Sequence, residues 1–160
     1  MILAIDPGTV QSGYVITGPK LKVIDSGTYK NDDIMNHIID GHSGDVVIEM
    51  MDNYGMVVGQ STFKTLVWIG QFMRATWCLE PVLITRRSVK LHLCNSVRAT
   101  DKNVRRAVLN RYDPSGGGKT PEIGIKKQPG PLYGLSGHAI QALAVAITYY
   151  DTIFKYEYEL

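Results

Sequence analysis

Two acidic side chains each close a short apolar run: ILAI ends at Asp6, and VVI ends at Glu49. A carboxylate at the end of an apolar strand is costly to bury without a cation or hydrogen-bond donors. Taken singly, each reads as a turn or segment cap. If the two strands are neighbours, their ends set two anions side by side, where they repel unless a metal sits between them. Hard oxygen ligands of this kind suit Mg²⁺ or Mn²⁺. A second constellation lies in GLSGHAIQALAVAITYY, residues 134–150. As a helix this segment is apolar nearly all round, the pattern of a buried helix. His138 and Gln141 interrupt it three residues apart, so they share one face. A neutral imidazole can ligate a metal or act as a general base on a water. A Gln carbonyl can ligate but brings no charge. A satisfied structural histidine is the competing reading of His138.

These groups need strands and helices to hold them. Residues 2–5, 13–17, 21–29, 45–49 and 82–85 predict five strands, the second and third joined by a hairpin through TGPK. Helices are expected over 33–40, 56–79, 88–93 and 101–112 and in the final segment, while residues 113–137, with 7 Gly and 4 Pro, predict no regular structure. Three antiparallel strands followed by strand, helix, strand and helix give an α/β domain with a mixed sheet. The connection from the fourth strand to the fifth should be a right-handed parallel crossover. In the long helix Phe63, Val67 and Trp77 fall on one side and Leu66, Ile69 and Met73 on another. One face suits the sheet and the other a second subunit; a thick core is the alternative.

The chain of 160 residues, 44% hydrophobic, is the size of one domain. It contains no apolar run long enough to span a membrane, and MILAIDPG lacks the basic start of a secretory leader. A cytoplasmic location is expected. Cys78 and Cys94 fit no zinc spacing and read as reduced packing residues. The overall charge of +2 hides an asymmetry: residues 1–81 carry −4, residues 82–130 carry +8, and the remainder −2. A basic block of that kind neutralises a polyphosphate backbone; a solvated helix surface is the alternative. Within it Lys102, Arg105 and Arg106 recur at helical spacing after Arg98, and Lys119, Lys126 and Lys127 lie in the glycine-rich stretch. All seven are candidate phosphate contacts, those of the stretch on a mobile loop that orders on DNA. PSGGGKTP, residues 114–121, is not a P-loop, because the pattern needs a glycine where Asp113 stands and a strand where a helix precedes. No nucleotide cofactor is expected. An actin-like kinase also starts with a strand and an Asp-x-Gly turn, but its paired subdomains need far more than 160 residues.

AIDPGTVQSGYVI, residues 4–16, resembles the first strand and turn of the RuvC Holliday-junction resolvases, a branch of the ribonuclease H-like nucleases. VVIEM, residues 46–50, resembles their second catalytic strand, and the 138–147 helix their last one. YGMVVGQSTFKTLVWIGQF, KNVRRAVLNRY and KKQPGPLYGLSGHA resemble the divergent members found in bacteriophages. The resemblance spans nearly the whole chain in order. It implies a ribonuclease H-like fold, a five-stranded mixed sheet flanked by helices, in one domain over 1–160. It also implies a homodimeric crossover junction endodeoxyribonuclease acting on four-way junctions, Y-forks and other branched DNA in the cytoplasm of a bacterial host. Hydrolysis in such enzymes uses two Mg²⁺ ions per site, for which Mn²⁺ can substitute. Asp6 would bridge the ions, Glu49 would hold one, and His138 and Gln141 occupy the positions of the third and fourth ligands.

The chain departs from the family at that last pair. Relatives carry Asp-x-x-Asp or His-x-x-Asp where His138-Ala-Ile-Gln141 stands, so lower metal affinity and dependence on Mn²⁺ or high Mg²⁺ are expected. Natural divergence with His138 as third ligand, an engineered inactive variant, and a natural junction binder that does not cleave are all compatible with the sequence. Some relatives insert an aromatic wedge after the second catalytic strand. The matching stretch here is MMDNY, so Tyr54 or the methionines before it would take that role.

Overall fold

A computed structural model describes residues 1–39, 42–52, 55 and 57–155. Strands β1 (Ile2–Asp6), β2 (Gln11–Thr17) and β3 (Val23–Lys30) form an antiparallel meander, followed by helix α1 (Asn31–Ile39) and strand β4 (Asp45–Met50). Helix α2 (Gln60–Ala75) leads to β5 (Val82–Thr85), then α3 (Arg86–Cys94) and α4 (Asp101–Leu109). A small hairpin, β6 (Gly124–Ile125) and β7 (Gln128–Pro129), precedes α5 (Gly137–Tyr149), which runs on into a wider turn over Tyr150–Phe154. The main sheet has the order β3-β2-β1-β4-β5, with β4 parallel to both β1 and β5. This is the mixed five-stranded sheet that the strand pattern predicts.

The two-residue period of the strands sorts side chains into two layers. Leu3, Ile5, Val46 and Ile48 pack with Ile34, Ile69 and Phe72 of α1 and α2 on one face. Ala4, Val15 and Val47 face α5, α4 and α3 on the other, where Ile140, Leu143 and Ile147 are buried. Each such large side chain stabilises the fold by about 1.5–3 kcal/mol. The α5 segment is apolar all round because it is covered all round, by the sheet beneath and by α3 and α4 above.

Three sequence expectations change in detail. Helix α2 starts at Gln60 rather than 56, because Gly59 is its N-cap and Val57, fully exposed, lies outside it. Met73 is exposed, and Phe72, one position earlier, fills the core instead. The stretch 113–137 is not a loose loop: Gly117 N–H donates to the Gln128 carbonyl at 2.9 Å and Gly130 N–H to that of Ile123 at 2.9 Å. Its glycines permit this crossing, since a Cβ on Gly124, whose φ is +78°, would sit 2.2 Å from Gly130 N.

Past α5, Asp151 gathers basic side chains from three segments of the chain. Its carboxylate accepts from Arg111 Nη2 at 2.6 Å and bonds His92 Nε2 at 2.9 Å, with Lys155 Nζ at 3.7 Å. Burial alone would raise its pKa, but His92 and Arg111 outweigh burial and hold it below the ordinary 3.8. A depressed carboxylate stabilises the fold above its unfolded pKa, and that contribution is lost as pH falls through the lower folded value. Asp151→Asn is therefore expected to cost about 1–2 kcal/mol at pH 7, discounted for the exposed partners. Thermal melts of the two proteins should differ by roughly 2–8 °C at pH 7 and converge as pH falls from about 4 through the lower folded value.

Candidate functional site

The parallel register pairs Ile5 of β1 with Ile48 of β4, so the next residues along, Asp6 and Glu49, lie side by side at the strand ends. Their period places both on the α5 face, two positions beyond Ala4 and Val47. Each residue is 8% exposed. The turn after Asp6 is pinned by a buried polar network: Ser12 Oγ accepts from Gly8 N at 3.1 Å and donates to Asn31 Oδ1 at 2.7 Å, and Asn31 Nδ2 returns to Gly8 O at 3.0 Å. Ser12 and Asn31 give no signal of this in sequence, because they meet only when β2 and α1 are assembled.

His138 enters from the start of α5. Its Nδ1 lies 2.7 Å from Asp6 Oδ2, and its side chain is 56% exposed, so it opens to the cleft and not to the apolar interior. The bond to Asp6 raises the imidazole pKa above the ordinary value, outweighing the burial that lowers it. Nε2 is the nitrogen left for other work. Gln141, one turn on, lines the same cleft, and its Oε1 is buried with no hydrogen-bond partner among the described residues. Such an orphan acceptor is costly unless a cation or donor completes it.

Two further charged residues meet these, and sequence reasoning missed both. Arg86, the first residue of α3, donates through Nη1 to Glu49 Oε1 at 3.1 Å and through Nη2 to Asp101. Asp101 opens α4 behind a Thr100 and Asn103 capping box. Burial, then the hydrogen bond and charge of Asp6, push the Glu49 carboxyl well above the usual range, and Arg86 only partly offsets them. The cleft, about 510 Å³, is lined by Asp6, Glu49, Asp52, Arg86, His138 and Gln141 among others.

Gly13 makes the convergence possible. It pairs with Asp6 across β1 and β2, and α5 lies so close that a Cβ there would sit 2.2 Å from the His138 backbone carbon. Only a glycine lets the helix start approach the strand this far.

No protein-family model matches the sequence, and no curated protein does. Solved structures do. The chain is similar to a Thermus thermophilus RuvC structure with a TM-score of 0.62 and 18% identity, covering 96% of each chain. It is similar to T. thermophilus RuvC in complex with Holliday junction substrate with a TM-score of 0.63 and 18% identity, covering 92% of this chain and 91% of that one. The fold is that of RuvC.

The RuvC-like frame brings the four candidates Asp6, Glu49, His138 and Gln141 to one cleft. Among the described residues no three His, Cys, Asp or Glu side chains form a ready metal-holding group. The donor chemistry nonetheless fits a divalent ion: two adjoining carboxylates whose repulsion Arg86 only partly offsets, and an amide oxygen without a hydrogen-bond partner among the described residues. Lys102, Arg105 and Arg106 share a groove of about 540 Å³ on α4 with Thr120. Arg98, Lys119, Lys126 and Lys127 are exposed but do not line that groove, the last two sitting at the turn of the β6 and β7 hairpin. Tyr54 lies outside the described residues. No described helix is long and apolar enough to cross a membrane.

Proposed function

We propose that the chain, as one domain over 1–160, is a divalent-metal-dependent endonuclease of branched DNA, of the phage RuvC type, cutting four-way junctions and Y-forks. The observation that carries this reading is the convergence of Asp6 and Glu49 beneath His138 and Gln141 at the end of the sheet. Asp6, Glu49 and the Gln141 carbonyl would hold Mg²⁺ or Mn²⁺, with His138 Nε2 completing the set or acting as base. Metal bound there supplies charge for the phosphoryl oxygens and an activated water, and the family pattern is two ions per site. Asp6 orients the imidazole through Nδ1 and favours its cationic form, so His138 can give up a proton to the leaving oxygen or, once neutral, take one from the water. The gathering of Lys102, Arg105 and Arg106 beside Asp101 supports a DNA backbone running along α4 towards the cleft.

The test uses end-labelled four-way, Y-fork and linear DNA with Mg²⁺ and with Mn²⁺. Paired nicks placed symmetrically across the four-way junction support the proposal. A second reading, a junction binder without cleavage, is favoured by the neutral Gln141. It predicts binding to branched DNA and no nick with any divalent ion.

Binding through the α4 groove should be salt-sensitive: affinity for a four-way junction is expected to fall at least about tenfold between 50 and 200 mM salt. Replacing Lys102, Arg105 and Arg106 together by Gln should weaken binding and flatten that dependence. Equal slopes for the two proteins in fluorescence anisotropy would remove these residues from the interface.

A junction with two-fold symmetry calls for two sites, and α2 offers the surface. Phe63, Val67, Gly70 and Arg74 are exposed and follow each other at steps of four, three and four, the spacing of a helix-pairing seam, with the exposed Trp77 just past the end of the helix. A Cβ at Gly70 would meet nothing within 4 Å in the single chain, so the stripe has room for a partner helix. We expect a dimer in sedimentation, and Val67→Glu should convert it to monomer at micromolar concentration by burying an unpaired charge. A wild-type protein that sediments as a monomer counts against the seam.

A further inference from the structure

Among the described residues Arg86 is the one Lys or Arg in the lining of the cleft. Its side chain is only 18% exposed, and its Nη1 occupies the Glu49 oxygen at 3.1 Å. A divalent ion bound through that same oxygen would have to displace the guanidinium. The guanidinium thus satisfies that Glu49 oxygen at the floor of the cleft. Its other end is differently placed. Nη2 is bonded to Asp101, whose side chain is 72% exposed and sits at the mouth of the cleft on the helix that carries Lys102, Arg105 and Arg106.

Resting on the nuclease reading above, we propose that Arg86 is a two-position residue: it guards Glu49 until a divalent ion displaces it, and then, tethered by Asp101, turns Nη1 to a non-bridging oxygen of the scissile phosphate. Three features support this. The guanidinium has five N–H donors in a fixed fork, so it can keep one carboxylate while exchanging the other for a phosphate of similar geometry. Asp6, Asp52 and Asp101 line the cleft beside Glu49 and repel an entering phosphodiester, while Arg86 is the one permanent positive charge in that lining among the described residues. Thr100 and Asn103 fix the start of α4, so Asp101 is a firm anchor while Glu49 Oε1 is the contact that must be released. A purely structural salt bridge tying α3 to β4 is the competing account. It makes the opposite prediction for metal affinity, because removing it would loosen Glu49.

The experiment compares wild type, Arg86→Gln and Arg86→Lys as full chains, with thermal melts confirming that each is folded. Calorimetric titration with Mn²⁺ in the absence of DNA should show Arg86→Gln binding about tenfold tighter than wild type, since a competing cation is gone. Single-turnover nicking at saturating Mn²⁺ should fall by about 10²-fold in Arg86→Gln, the loss expected for one donor to a developing oxyanion. Arg86→Lys should recover part of the nicking, because its point charge remains but the fork is lost. Mn²⁺ affinity in Arg86→Gln that is equal to or weaker than wild type overturns the guarding role. Undiminished nicking at saturating metal overturns the phosphate contact. Should wild type nick no DNA with any ion, the nuclease reading and the phosphate contact fail together, while the Mn²⁺ comparison still decides the guarding role.

Discussion

Asp6→Asn is expected to abolish nicking of a four-way junction, by about 10³-fold or more, while the protein stays folded and still binds the junction. The substitution removes one of two adjoining carboxylates and with it the charge that would hold a divalent ion, an effect of about 4 kcal/mol on the barrier. It keeps the shape of the site, since the Asn carbonyl can still accept from His138 Nδ1, which lies 2.7 Å from Asp6 Oδ2 in the native protein. It also relieves repulsion, because Asp6 contributes to the upward push on the Glu49 carboxyl. Thermal melting should therefore not fall. A single-turnover assay with Mg²⁺ and Mn²⁺, beside anisotropy binding and a melt, separates these effects. Nicking retained within tenfold of wild type would take Asp6 out of the chemistry.

The second large effect comes from a residue with no functional group. Gly13→Ala adds one methyl carbon 2.2 Å from the backbone of His138, and backbone cannot swing aside as a long side chain does. The start of α5 must move by about 1 Å or more, which overpacking studies put at a cost of about 1–3 kcal/mol. His138 and Gln141 ride on that helix, so they shift relative to Asp6 and Glu49. A displacement of that size costs about 10²-fold in rate when groups must meet in one geometry. Melting should drop by roughly 2–4 °C per kcal/mol lost. Junction binding through α4 should persist. A variant that melts and nicks like wild type would show that the helix start has slack the close approach does not suggest.

What can be read from the chain alone follows from periodicity. A strand pattern that runs ILAI and VVI and then ends in an acid marks Asp6 and Glu49 without any knowledge of the partner strand. The spacing of His138 and Gln141 fixes that they share a helix face. The same local rules give five strands, their mixed sheet and the exposed side formed by Phe63, Val67 and Trp77. They fail at Met73 and Phe72, adjacent positions that periodicity alone does not distinguish and that the packing of α2 on the sheet decides.

Glycine and proline content misleads in the 113–137 stretch for a related reason. Composition reports how free a chain is, whereas the hydrogen bonds of Gly117 to Gln128 and Gly130 to Ile123 depend on segments that are close only once folded.

The remaining parts of the site were decided by tertiary structure. Arg86 is 37 residues from Glu49 and 15 from Asp101, and their contacts exist because parallel pairing of β4 with β5 delivers the start of α3 to the end of β4. Ser12, Asn31 and Gly13 act through groups brought from distant segments, and none carries a local pattern. Sequence determines which faces are apolar and where charges interrupt them, because those depend on neighbours along the chain. Which interruptions share one cleft depends on strand order and helix approach, and these are set by long-range packing.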